Sequence, residues 1–251
     1  MKELKNIYIS RLGNKTNDIK FFKKYLNKNI STIVEPFSGM FAVIRNEYND
    51  DKYKKIINDI DKKLINFLLL IKDNHVVLND IYKDINTSEM TNGKDINKYI
   101  KEKYLDHSTM LIDHFIQRGM FKKIKKVHDF TDLSLFLNKC EITCKDYKDI
   151  FEEYKDNKEA LLFLDPPYFD SFNSKYNTYK KDCNEEITDN TQMYIDILKY
   201  LKKCQCKVLL ILNKNAITQH IYKKYIKGEY EKIYQLTKKK TQHLIISNYI
   251  V

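Results

Sequence analysis

Tryptophan is missing from this chain of 251 residues, and arginine occurs only as Arg11, Arg45 and Arg118. Glycine appears five times, where an average chain of this length would hold about 17. So little glycine excludes flexible glycine-rich linkers and collagen-like repeats. No run approaches the roughly 18–20 apolar residues that a membrane helix needs, which excludes a spanning segment of that kind. The opening "MKELKNIYIS" lacks the apolar core and small-residue site of a secretory signal. The five cysteines (Cys140, Cys144, Cys183, Cys204 and Cys206) show neither zinc-site spacing nor a nearby histidine, so no metal is expected. Reduced thiols in a soluble, intracellular protein are the expectation.

What is present is a hydrophobic fraction of 43%, enough for a full core and against disorder. The length favours one domain carrying an insertion over two independent domains. A net charge of +11 invites a polyanion such as nucleic acid. The charge is almost all lysine, accompanied by much asparagine, isoleucine and tyrosine, a mixture that an AT-rich coding sequence yields whatever the function. Charge alone therefore settles little.

The periodicity is more informative. Helical spacing at "IKFFKKYLN" (19–27) is followed by a short β-branched run closed by Pro36 and Gly39, then a second strand at Lys55–Asn58 tipped by Asp59. A helix is expected from about Lys62 to Lys72. Residues 75–130 are polar and rich in lysine and asparagine, with "NTSEMTNGKD" as a loop, and read as a partly helical insertion between 1–74 and 131–251. Strand and helix then alternate again through "CEITCKDY", "DIFEEYK", "ALLFLDPPY", "NTQMYIDILKYLKKC", "KVLLILN" and "HLIISNYIV". This rhythm predicts an α/β fold, Rossmann-like, with a mostly parallel sheet and helices on both faces.

In such folds ligands gather at the carboxyl ends of strands. All three prolines, Pro36, Pro166 and Pro167, stand at predicted strand ends. Gly39 permits a tight turn and close backbone approach to a ligand at a helix N-terminus. Asp59, 20 residues further on, has the offset of a carboxylate that accepts from ribose hydroxyls, although one glycine is a weak signal and an ordinary turn is the rival reading. "DPPY" is more specific. Prolines after a strand carry no backbone N–H, so Asp165 and the Pro166 carbonyl form an array of acceptors suited to an amino group. Tyr168 offers a face for a base to stack on. The bland alternative is a strand-ending turn with a surface aspartate.

The order and wording of these motifs resemble the Dam-like adenine-specific DNA methyltransferases over most of the chain. "RLGNK" is similar to that family's N-terminal motif, "EPFSG" to its S-adenosylmethionine motif, "NDIDKKLINF" to the stretch that follows it, and "DPPY" to its catalytic motif. "CKDY" and the closing "HLIISNY" also match in position. The resemblance implies a class I methyltransferase fold with S-adenosylmethionine as cofactor and double-stranded DNA as partner. It implies cofactor contacts from Arg11, Gly13, Lys15, Glu35, Pro36, Phe37, Gly39, Asp59, Ile60, Asp146, Tyr147 and Asp165. It makes Asp165, Pro166, Pro167 and Tyr168 catalytic and residues 75–130 the target-recognition region. Arg118 with Lys122, Lys123, Lys125 and Lys126 is a candidate phosphate strip whose rival is a solvated helix face, and Lys175 and Tyr176 fall in a candidate substrate loop.

The family pattern departs in two places. Phe41 stands where a second glycine is usual, so its ring either crowds the cofactor's methionine end or turns into the core. Arg11 stands where relatives carry an aromatic. A degenerate methyltransferase fold that only binds nucleic acid or a partner is the competing function; RNA adenine, the cytosine amino group or a protein amide are competing substrates.

Overall fold

The computed structural model describes residues 15–87, 93–107, 111, 129–167, 190–233 and 240–250, and these form seven strands and eight α-helices. They divide into two compact units: residues 1–17 with 33–147, and residues 18–32 with 148–251.

In the first unit the strands lie in the order β3-β2-β1, with β1 at Thr32–Glu35, β2 at Lys54–Asn58 and β3 at Glu141–Thr143. β2 and β3 are parallel, pairing Ile56 with Glu141 and Asn58 with Thr143. β1 is buried along its whole length, its polar ends Thr32 and Glu35 included. α2 (Ala42–Glu47) follows β1, and α3 begins at Lys62, capped by Asp61, whose Oδ1 accepts from the backbone of Lys63 and Leu64.

α3 runs to Thr87, beyond its expected end near Lys72, with a break at Asn74 (φ −148°, ψ 50°). The break frees the carbonyl of Lys72, and Ser134 Oγ of α5 (Thr131–Leu137) donates to it over 3.0 Å. Phe130 meets both halves of the bent helix edge-on, Phe67 before the break at 6.3 Å and Tyr82 after it at 5.2 Å. α4 (Gly93–Lys103) buries Ile96 and Ile100 and is tied to α3 through Asp84, which accepts from Tyr99 at 2.5 Å, from Lys103 at 2.7 Å and from Tyr104.

In the second unit the strand order is β4-β5-β7-β6, with β4 at Ala160–Leu164, β5 at Lys207–Asn213, β6 at Ile226–Ile233 and β7 at Lys240–Ser247. β4 and β5 are parallel, and β7 is antiparallel to both of its neighbours. α1 (Ile19–Phe22), α6 (Tyr147–Tyr154), α7 (Thr191–Lys203) and α8 (Ala216–Tyr222) complete the helices, and Phe151 of α6 stacks on Tyr200 of α7 at 4.2 Å. Gly228 lies against the Tyr25 hydroxyl, with no room for a side chain. The fold is thus the α/β, Rossmann-like class expected, with the antiparallel element entering through β7. No helix of the described residues is long and apolar enough to cross a membrane.

Candidate active site

The first unit gathers three strand ends around one buried amide. Asn58, the last residue of β2 and fully buried, donates from Nδ2 to the carbonyls of Pro36 and Lys145, each at 3.0 Å. Its Oδ1 accepts from the Lys145 backbone at 2.9 Å and from Thr143 Oγ1 at 2.8 Å. An asparagine amide has two donors and two acceptor lone pairs, and all four are used. The tips of β1, β2 and β3 are thereby held at fixed spacing.

On this frame sit the expected cofactor residues of the unit. Asp59 is half-buried; Oδ2 accepts from Gly39 N at 2.9 Å and Oδ1 from Asp61 N at 3.0 Å. Gly39 has φ +48°, the left-handed region in which glycine is unstrained. Ile60 beside it is 66% exposed, a large apolar side chain left open to solvent. Phe37, after β1, stacks on Tyr147, after β3, with centroids 5.4 Å apart. Pro36 is buried and Asp146 exposed.

Glu35 is buried at the end of β1, with Oε1 accepting from Ile44 N of α2 at 2.6 Å. Its charge faces Arg45, whose guanidinium burial pushes below its ordinary value while Glu35 opposes the change. Arg45 also donates to Thr16 Oγ1 at 3.0 Å. Lys15 is buried near the start of the described chain.

Phe41 takes the second of its two anticipated positions. Its ring is completely buried, stacks on Phe136 of α5 at 5.9 Å and lies 6.0 Å beneath the Arg45 guanidinium. Its backbone nevertheless keeps φ +41°, ψ 45°, the conformation that glycine would supply at this point of the turn.

In the second unit, β4 is buried along its length and ends at Leu164. Asp165 emerges half-buried, Pro166 is buried and Pro167 half-buried. The Pro167 carbonyl accepts from Tyr194 Oη of α7 at 2.8 Å. Arg11, Gly13, Tyr168, Arg118, Lys122, Lys123, Lys125, Lys126, Lys175 and Tyr176 lie outside the described residues.

The sequence reading passed over Asn58 and Tyr194. A polar residue closing the strand "KKIIN" after two isoleucines was the available sign for Asn58, whereas nothing in the helical pattern of α7 distinguishes Tyr194.

The first unit carries a carboxylate hydrogen-bonded to a glycine turn and the second a proline-ended buried strand, each at the carboxyl end of a strand, where ligands gather in α/β folds. Residues 12–139 and 114–242 match the D12 class N6 adenine-specific DNA methyltransferase family, and the chain belongs to it. It is 26% identical to the Type II methyltransferase M.CviBI of Paramecium bursaria Chlorella virus NC1A, over 94% of this chain and 97% of that protein. Looser likenesses exist to the human methyltransferase 10 domain containing protein (TM-score 0.42, 8% identity, 94% of this chain and 82% of that one). The N-terminal domain of human METTL16 in complex with SAH is similar at the same level (TM-score 0.40, 8% identity, 92% and 67%). Likenesses this loose bear on neither substrate nor mechanism.

Proposed function

We propose that this chain transfers a methyl group from S-adenosylmethionine to the exocyclic amino nitrogen of adenine in double-stranded DNA, acting on a base flipped out of the helix. The observation that carries the reading is the acceptor-only tip of β4: Asp165 followed by two residues that have no N–H to donate.

The adenine amino group is a poor nucleophile because its lone pair is delocalised into the ring. The Asp165 carboxylate and the Pro166 carbonyl accept its two hydrogens, which favours a pyramidal nitrogen with a directed lone pair. Positioning and fixed charge carry the rate, with no covalent intermediate on the protein. The amino group is out of reach in a stacked duplex, so the base leaves the stack and lies against Tyr168.

The first unit's residues fit the adenosine part of the cofactor. Asp59 is fixed at the strand tip by two backbone N–H groups, and a carboxylate at that place suits the hydroxyls of a ribose. The exposed Ile60 and the Phe37–Tyr147 pair supply apolar and aromatic surface for a base. Asp146 beside them can accept from an amino group. When bound, S-adenosylmethionine supplies an activated methyl group on a sulfonium. Residues 75–130 serve as the target-recognition insertion, and the lysine strip at 122–126 contacts phosphates. The rival reading, a degenerate binding protein, drew on Phe41 and Arg11; the burial of the Phe41 ring in the core supports the enzyme reading on the first of these.

The test is calorimetry with S-adenosylmethionine together with sequencing of co-expressed plasmid DNA for methyladenine. Saturable one-site binding and methyladenine at a defined site are expected. Binding without methyladenine would move the substrate elsewhere, and no binding would end the enzyme reading for this chain alone.

A further inference from the structure

The stretch from Asp165 to Pro167 retains few soft torsions. A pyrrolidine ring locks φ at Pro166 and again at Pro167. A residue followed by proline is confined to extended ψ, which restricts Asp165 and Pro166. The peptide planes between them are rigid. Past φ of Asp165, where the chain leaves β4, one unguarded torsion is left, ψ of Pro167. It sets the direction of the Pro167 carbonyl and the direction in which the chain leaves the motif.

That torsion is the one Tyr194 holds. Tyr194 is 2% exposed, and its hydroxyl donates to the Pro167 carbonyl over 2.8 Å. The residue is itself anchored, because its backbone carbonyl accepts from Tyr222 Oη of α8 at 2.7 Å. A buried phenol with its hydroxyl committed to one carbonyl acts as a strut: it adds nothing to the acceptor array but fixes the last degree of freedom beside it.

We propose that Tyr194 is a positioning residue of the methyl-transfer site, holding the Pro167 carbonyl so that the Asp165–Pro166–Pro167 segment keeps one course beyond the end of β4. This rests on the methyltransferase reading above and adds a helix, α7, to β4 among the elements that build the site. The Tyr194 hydroxyl touches neither base nor cofactor in this role, so its loss acts on the chemical step through alignment alone.

The test is single-turnover methyl transfer to plasmid DNA by the full chain carrying Tyr194→Phe, beside calorimetry with S-adenosylmethionine and thermal unfolding. The control is Tyr249→Phe, which removes a tyrosine hydroxyl donating to the Tyr25 carbonyl at 2.6 Å elsewhere in the same unit. Tyr194→Phe is expected to slow transfer about tenfold, the rate equivalent of one ordinary hydrogen bond, with cofactor affinity unchanged within about twofold. Tyr249→Phe is expected to cost comparable thermal stability while transfer stays within about twofold of the wild type. A wild-type rate for Tyr194→Phe overturns the inference, as does equal slowing by both variants, which would mark a merely structural hydroxyl. If the unaltered chain places no methyl group on DNA adenine, the underlying reading fails and this inference falls with it.

Discussion

Asn58 at the end of β2 donates its side-chain amide to the carbonyl of Pro36 at the end of β1 over 3.0 Å. With its other three bonds on the β3 side, this amide sets the spacing between the residues proposed to flank the cofactor's adenosine. Asn58→Ala removes all four bonds and leaves two backbone carbonyls short of donors. A stability loss of at least about 2 kcal/mol is expected from denaturant unfolding. Cofactor affinity should fall about tenfold or more by calorimetry. Unchanged affinity in a folded Asn58→Ala protein would separate the amide from the site.

Phe41→Gly weighs two opposed effects. Glycine relieves a left-handed residue of about 1–2 kcal/mol. Removing a buried phenyl stacked on Phe136 costs about 3–5 kcal/mol on the scale of phenylalanine-to-alanine changes. Packing wins, so the variant should be less stable by about 2 kcal/mol while cofactor affinity stays within about threefold. A more stable variant, or one binding much more tightly, would show that the ring obstructs the site.

The α3–α4 tie has a pH signature. Hydrogen bonds from Lys103, Tyr104 and Tyr99 hold Asp84 down to about 2, below its ordinary carboxylate value. A depressed carboxylate contributes stability above its unfolded value and loses it as pH falls through the folded one. The Asp84 side chain is 34% exposed, so solvent screening keeps the effect modest. The stability gap between wild type and Asp84→Asn should be present at neutral pH, shrink below about pH 4 and close near pH 2. A gap independent of pH would mean that shape, not charge, carries the tie.

How much of this was readable beforehand follows from where each signal lies. The buried strands announced themselves as short apolar runs, and three scarce prolines marked two strand ends. β6 was missed because only Tyr230 is buried along it, and its lysines and glutamates look like loop. Such a charged outer strand is a usual guard against edge pairing. The continuation of α3 past Asn74 was unreadable because the donor that satisfies the freed Lys72 carbonyl, Ser134, lies 62 residues away. Asn58 and Tyr194 act through partners distant in sequence, and no local pattern encodes those contacts. Phe41 posed a choice between two ring positions that only the packing of Phe136 could decide.

The central claim is that Asp165 belongs to an acceptor array for an adenine amino group, and Asp165→Ala tests it most directly. Methyladenine in co-expressed plasmid DNA should be quantified alongside calorimetry with S-adenosylmethionine. Loss of one preorganised polar partner at a reacting centre costs on the order of a hundred- to a thousandfold in rate. Methylation should therefore fall at least that far, with cofactor affinity nearly intact. A variant that still methylates adenine at the wild-type rate would contradict the account.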